Sequence, residues 1–478
     1  MISPNPRPRA AATYTVQATV AKAAQSAPHP AFYLTMAFVF VVYARFPEIL
    51  DMLTGSALHL ARVLMVLVFL TTLLFAGGLR AVFSKIGVGM LAFTLWMCIC
   101  VPFSIWRGGS ARTLRDSWIL SLFSFVIIAA SVQGLDQCRR LMYTLAAATA
   151  FMEVITFTIG RVQSGRLALL GGTLGNANYL AMMLLMGVPF CLLVLQTKAG
   201  LSLLKLISLL TLLAVPVTVA GTGSRGGLVA LGVMFLIYFI PLPASQKLVA
   251  AMVALILAVV SIVGSARGAL ERYKTMFSNP DQIRVSADER SAMESAELRR
   301  ELLLSSLQLT MRHPLMGVGP GMFAVANADY TQETKGQADF NAWHETHNTF
   351  TQLSVEDGLP GLFLYCLTIL LCFQVVFSVS RRARNNPAMA SVVPMALALR
   401  LALVAFIGTS LFASNAYAYY FPMLAGLCVA FERAVAAPFA AAPASPQPQP
   451  KQRVVAAELR PPVPRTGNVT AWKNMPSR

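Results

Sequence analysis

Apolar runs long enough to cross a bilayer recur along this 478-residue sequence. A membrane-spanning helix needs about 20 mostly apolar residues, and about twelve runs meet that length. Hydrophobic residues make up 56% of the chain and charged residues only 12%, whereas soluble domains carry about 25% charge. The sequence therefore predicts an all-α integral membrane protein with about twelve transmembrane helices. The predicted runs cover residues 29–49, 57–79, 86–106, 117–134, 141–160, 177–196, 203–220, 226–244, 247–266, 359–379, 391–414 and 417–436.

The spacing of these runs predicts five parts. Residues 1–28 are polar and are expected to form a disordered cytoplasmic N-terminus, and residues 29–266 hold helices 1–9. Residues 267–358 form a long, partly helical loop, and residues 359–436 hold helices 10–12. Residues 437–478 begin with Ala, Pro and Gln and end in a basic stretch, a composition that predicts a disordered cytoplasmic tail.

Lysine and arginine are concentrated in the loops that would be cytoplasmic if both termini are inside. This is the pattern of the positive-inside rule, and it places the 267–358 loop in the periplasm. Three short outside loops depart from the rule, and their basic residues are all arginine: Arg107, Arg112 and Arg115; Arg161 and Arg166; and Arg225. Arginine binds phosphate oxygens through a planar fork. The set indicates an anionic ligand at the outer face, although head-group contact could explain any single arginine.

The net charge of +18 has a less specific meaning. Much of it lies on the predicted cytoplasmic side, where it suits anionic membrane lipids. Nucleic acid is not an expected partner, because no soluble folded region carries the charge.

Gly221–Gly227 is a glycine-rich turn between two predicted spans. Glycine permits tight turning and close approach of a ligand. Arg225, preceded by Ser224, lies where a helix is expected to begin, and free amides there favour an anion.

Arg299 and Arg300 lie in an amphipathic helix expected over 294–311. They are either an exposed charged pair, or one of them points into the site.

The segment Trp343–Phe350 contains two of the five histidines, His344 and His347. Imidazole is well matched to proton transfer near neutral pH. His347 could act as a general base with His344 in support, or both could be loop or capping residues. The spacing does not fit the zinc-protease motif, which separates its histidines by four positions. No cofactor or metal is expected.

Two other glycine-containing segments favour a structural reading. His313–Phe323 has alternating glycines without the strand–turn–helix unit of a dinucleotide site, and it predicts a sharp turn. Gly171–Tyr179 suits either a helix cap or a functional loop.

Three of these segments, in this order, resemble the O-antigen ligase and polymerase superfamily. They are Gly223–Gly227, His313–Gly319, and His347-Asn348-Thr349-Phe350 followed by Glu356–Gly361. The resemblance implies a multi-pass protein of the bacterial inner membrane that takes a glycan from an undecaprenyl diphosphate carrier at the periplasmic face. Arg225 and either Arg299 or Arg300 match family arginines that hold the diphosphate. His347 matches the histidine that activates the acceptor, and Asn348 follows it.

The residues and the resemblance together predict an inverting, metal-independent transfer. Arginines can stabilise the charge on a diphosphate leaving group, and Arg166 is expected to join Arg225 there. The acceptor could be lipid A-core, a growing polysaccharide in a repeat-unit polymerase, or a protein in an O-oligosaccharyltransferase. A polytopic transporter or flippase is the alternative of another class, although no internal repeat is evident.

Overall fold

The computed structural model describes residues 30–55, 60–75, 79–163, 165–169, 175–197, 200, 202–264, 287–336 and 343–440. The predicted N-terminus 1–28, most of the predicted tail, and the first part of the 267–358 loop lie outside these residues. The five-part division of the chain therefore stays a prediction.

Helices form nearly all of the described structure. They are α1 Pro30–Tyr43, α2 Phe46–Thr54, α3 Leu60–Phe75, α4 Lys85–Cys100, α5 Arg107–Ser131, α6 Leu135–Ile159, α7 Ala177–Thr197, α8 Leu203–Gly221, α9 Arg225–Phe239, α10 Ala244–Gly264, α11 Ala287–Arg312, α12 Phe323–Lys335, α13 Thr349–Glu356, α14 Gly358–Arg384, α15 Val392–Ser410 and α16 Tyr420–Ala440. Short 3₁₀ turns cover Leu79–Phe83, Val101–Phe103 and Pro387–Met389.

The predicted all-α membrane fold is confirmed. Eight helices among the described residues are long and apolar enough to cross a membrane, and shorter apolar helices accompany them. Each predicted apolar run overlaps at least one helix, and the run 29–49 is divided between α1 and α2. The number of true spans stays a prediction. Helix α7 is the most deeply buried of the eight, whereas α10 buries none of its apolar window.

One small β-hairpin interrupts the helical pattern. Strands β1 Arg161–Gln163 and β2 Arg166–Ala168 are antiparallel, with Gln163 opposite Arg166. Three-residue strands are too short to produce a readable alternation in sequence, so the segment was expected only as a loop.

The glycine-rich segment after α11 is a structural turn, as predicted. Its backbone runs beside the α13–α14 junction: Val318 N–H donates to Val355 O at 2.8 Å, and Gly319 N–H donates to Glu356 O at 2.9 Å. Gly317 has φ +66°, and a Cβ there would lie 2.4 Å from the Glu356 carbonyl carbon. The turn therefore needs glycine for both conformation and space.

Gly317→Ala is expected to lower thermal stability in detergent more than Gly336→Ala does. Both glycines have positive φ, but nothing lies within 4 Å of a Cβ built at Gly336. The control therefore carries the conformational cost alone, while Gly317→Ala adds a backbone clash. Equal melting temperatures for the two variants would contradict this account of the turn.

Candidate active site

The arginine-bearing turn joins α8 to α9. Gly223 has φ +60°, and the Ser224 hydroxyl accepts a hydrogen bond from Gly227 N–H at 3.2 Å. Ser224 is therefore the N-cap of α9, and Arg225 is the first residue of that helix. Gly226 lies against the Phe412 ring, since a Cβ there would be 2.2 Å from it. The loop between α15 and α16 consequently packs on the start of α9.

The β-hairpin carries Arg166 to the same end of the helix bundle. Its Nε donates to Thr222 O at 2.9 Å, and its Nη2 donates to Asn178 Oδ1 at 2.8 Å. Asn178 N–H in turn donates to Asn176 Oδ1 at 3.0 Å. One guanidinium thus joins the α8–α9 turn to the first turn of α7. The first part of the predicted 171–179 motif, residues 171–174, lies outside the described residues.

Arg299 and Arg300 face different directions on α11. Arg299 lines a polar cavity, whereas Arg300 forms an exposed ion pair with Glu297 at 3.1 Å. Successive helical residues are rotated by about 100°, so adjacent arginines cannot share a face. Of the two, Arg299 is the arginine that lines the cavity.

His347 lies in the loop before α13. Its backbone N–H donates to Ser414 Oγ at 2.9 Å. Asn348 is the N-cap of α13, and its Oδ1 accepts from Phe350 N–H at 2.9 Å and Thr351 N–H at 3.2 Å. Asn348 therefore fixes where the helix begins, directly after the histidine.

Burial lowers the pKa of His347 to about 4, and the positive charges of Arg299, His344 and Arg166 act in the same direction. The imidazole is consequently neutral at neutral pH and able to accept a proton. His344 is half-buried, and its charge is one cause of the lowered pKa of His347. It is not among the described residues that line the cavity.

The cavity has a volume of about 430 Å³ and is lined by the β-hairpin, the start of α7, α11 and the loop before α13. The hairpin contributes Arg166, α11 contributes Arg299, and the loop before α13 contributes His347. The described lining contains no acidic residue; its other members are Gln163, Ala168, Gly175, Asn176, Ala177, Asn178 and Leu298. Two guanidinium groups suit an anionic ligand. A neutral imidazole beside them suits the removal of a proton from a second molecule that reacts with that ligand.

Arg225 is not among the described residues that line this cavity. Its turn is nevertheless attached to the site, because Arg166 binds Thr222 three residues before it. Gln163, Asn176 and Asn178 were not predicted as lining residues. The asparagines gave a partial signal as helix-capping residues, whereas Gln163 gave none.

The chain is thus a membrane protein with a cavity at one end of its helix bundle that is lined by two arginines and a histidine. Residues 206–366 match the family model described as O-antigen ligase, which confirms the predicted resemblance to that superfamily. The match contains Arg225, Arg299 and His347 but not Arg166. It indicates a glycosyltransferase of the ligase or polymerase type. No curated protein matches the chain.

The stability of wild-type protein is expected to fall relative to His347→Gln as pH drops from about 6.5 to 4. An unfolded histidine takes up a proton near pH 6.5, whereas folded His347 does so only near pH 4. Its contribution to stability is therefore complete above pH 6.5 and is lost through that interval. Melting temperatures of both proteins across the pH range provide the measurement. Parallel curves would show that His347 has an ordinary pKa.

Proposed function

We propose that this protein is a glycosyltransferase of the bacterial inner membrane that moves a glycan from undecaprenyl diphosphate to an acceptor hydroxyl at the periplasmic face. The observation that carries the proposal is that Arg166, Arg299 and His347 line the same cavity. The described lining of that cavity contains no acidic residue. The O-antigen ligase match supports the reaction class.

Each of the three side chains has a distinct role in the proposed reaction. Acceptor oxygen attacks the anomeric carbon as the bond from that carbon to the phosphate oxygen breaks. The electron pair of that bond leaves with the diphosphate, whose growing charge Arg166 and Arg299 stabilise. His347 takes the acceptor proton. One direct displacement inverts the anomeric centre, and arginine rather than a metal ion carries the charge stabilisation.

An apolar groove beside the site suits the polyprenyl part of the donor. It has a volume of about 1020 Å³ and lies among α7, α8, α9 and α10. One end is at Ala220, beside the turn to which Arg166 is bonded, and the lining extends along α9 to Leu242. A diphosphate in the polar cavity could therefore continue into an apolar chain in the groove.

The location of the polar cavity favours transfer over transport. Its lining comes from the β-hairpin, the start of α7, the loop before α13 and α11, which is not among the candidate membrane spans. A transporter, in contrast, binds its substrate near the middle of the bilayer. The intramembrane Glu153 is hydrogen-bonded to Thr218 within the bundle. We assign the cavity to the periplasmic side because the positive-inside rule places the loop that carries Arg299 and His347 there. Acceptors compatible with the proposal are lipid A-core, a growing polysaccharide or a protein.

His347→Ala is expected to reduce glycan transfer by roughly 10²–10⁴-fold, the usual contribution of a positioned base. Arg299→Gln is expected to weaken donor binding as well, because it removes one of the two guanidinium groups in the cavity. Purified protein, an undecaprenyl-diphosphate-linked glycan and lipid A-core provide the assay, with the two other acceptor classes tested in parallel.

Arg300→Gln is the matched control, since it makes the same change at the next position of the same helix. It removes only an exposed ion pair, which contributes little. Transfer by this variant should stay close to wild type. Equal losses of transfer in Arg299→Gln and Arg300→Gln would show that Arg299 does not bind the donor. Full turnover by His347→Ala would show that His347 is not the base.

Gly232→Phe is expected to raise the KM for an undecaprenyl donor but not for a farnesyl donor carrying the same glycan. Gly232 lines the groove, and a Cβ there meets no atom within 4 Å, so the ring can enter the groove without moving the backbone. Val260→Phe adds a ring to an exposed part of α10 outside the groove lining and serves as control. The same KM change with both donors would exclude the groove as the polyprenyl site.

A further inference from the structure

His347 has an unusual backbone conformation. Its φ is +53°, and Arg45 is the only other described non-glycine residue with positive φ. Side chains other than glycine rarely adopt this region, and such strain persists only where surrounding contacts hold it in place. The direction in which the imidazole projects therefore depends on what holds the backbone of residue 347.

Ser414 supplies that contact from the loop between α15 and α16. Its Oγ accepts the His347 N–H at 2.9 Å and lies 3.1 Å from Thr346 Oγ1. Thr346 Oγ1 also donates to Asn348 O at 2.9 Å. The Ser414 and Thr346 hydroxyl groups thus link the His347 amide to Thr346 and Asn348, the residues on either side of it. The amide of the strained residue is bonded to a side chain rather than to a helix or strand.

The loop that carries Ser414 is held independently of its hydroxyl. Thr349 Oγ1 donates to Ala413 O at 2.7 Å and accepts from Asn415 N–H at 3.0 Å. Ala416 N–H donates to Gln352 Oε1 at 3.2 Å. Residues on both sides of Ser414 are therefore fixed along α13. Removal of the hydroxyl should leave this loop where it is.

Tyr179 connects Ser414 to the first turn of α7. Its hydroxyl lies 3.0 Å from Ser414 O and 3.2 Å from Glu345 Oε2. The neighbouring Asn178 accepts from Arg166. One helix terminus is thereby bonded to the arginine of the cavity and, through Ser414, to the loop that carries His347.

We propose that Ser414 is a positioning residue that holds His347 in its strained conformation, and that Tyr179 sets the register between His347 and Arg166. The inference rests on the proposed function of His347 as a base. Neither Ser414 nor Tyr179 lies within the segment that matches the family model. Their role is an assignment from geometry alone.

A double-mutant cycle between Ser414→Ala and His347→Ala tests the proposal in the lipid A-core transfer assay. Ser414→Ala should lower kcat about tenfold, which is about 1.4 kcal/mol, and leave the donor KM unchanged because both arginines remain. In the His347→Ala background, Ser414→Ala should cause no further loss. Ser414→Thr keeps a hydroxyl and should recover much of the rate. Ser305→Ala is the control, because that hydroxyl bonds only within its own helix, to Leu302 O.

The possible outcomes separate this inference from the proposed function. If His347→Ala is impaired and Ser414→Ala multiplies the loss, Ser414 acts elsewhere and the positioning role is wrong while the base assignment stands. Full activity of His347→Ala would overturn both. If Ser414→Ala does not fold, Tyr179→Phe replaces it in the same cycle. An equal loss from Tyr179→Phe in both backgrounds would then overturn the proposal.

Discussion

The inability of a bilayer to solvate backbone amides and carbonyls controls this structure. Within hydrocarbon each span must bond its own backbone, and helices do so. Irregular backbone is consequently found where spans end. The hairpin, the α8–α9 turn and the α15–α16 loop all follow or precede such ends, and the His347 loop precedes the short helix α13 that leads into α14. Helices that are apolar along nearly their whole length thus bring together the few segments that can carry polar chemistry.

Arg166 shows how such segments become one site. Its guanidinium donates to the Thr222 backbone carbonyl in the α8–α9 turn and to the side-chain oxygen of Asn178 in α7. A planar fork can make both bonds in a fixed geometry, which the single ammonium of lysine cannot reproduce. The arginine therefore contributes both to the structure of the site and to its charge, and a ligand that meets it meets a group that is already oriented.

The same positive charge affects the imidazole. Burial and the nearby cations lower the pKa of His347, which keeps the imidazole neutral and makes it a weak base. Under the proposed function, a diphosphate held by Arg166 and Arg299 would offset that field and raise the pKa of His347 toward the range in which imidazole is an efficient base.

The sequence by itself determined the helical membrane fold, because the length and hydropathy of a run are local properties and the thickness of the bilayer sets the length that a spanning helix needs. It also identified Arg166 from its residue type in a short outside loop, and it identified Arg299 (with Arg300) and His347 from their place in the 267–358 loop and from the family resemblance. It could not choose between Arg299 and Arg300, since that choice depends on how α11 is rotated against its neighbours.

Only the tertiary structure decided that these candidates line one cavity and that Arg225 is not among the described residues that line it. Contacts between distant segments decided this: Thr222 lies 56 residues from Arg166, and Ser414 lies 67 residues from His347. Ser414 belongs to no motif, and the 171–179 motif predicts no role for the Tyr179 hydroxyl, because a hydroxyl acquires its role here from the backbone group opposite it. Packing, rather than local pattern, determines which groups meet.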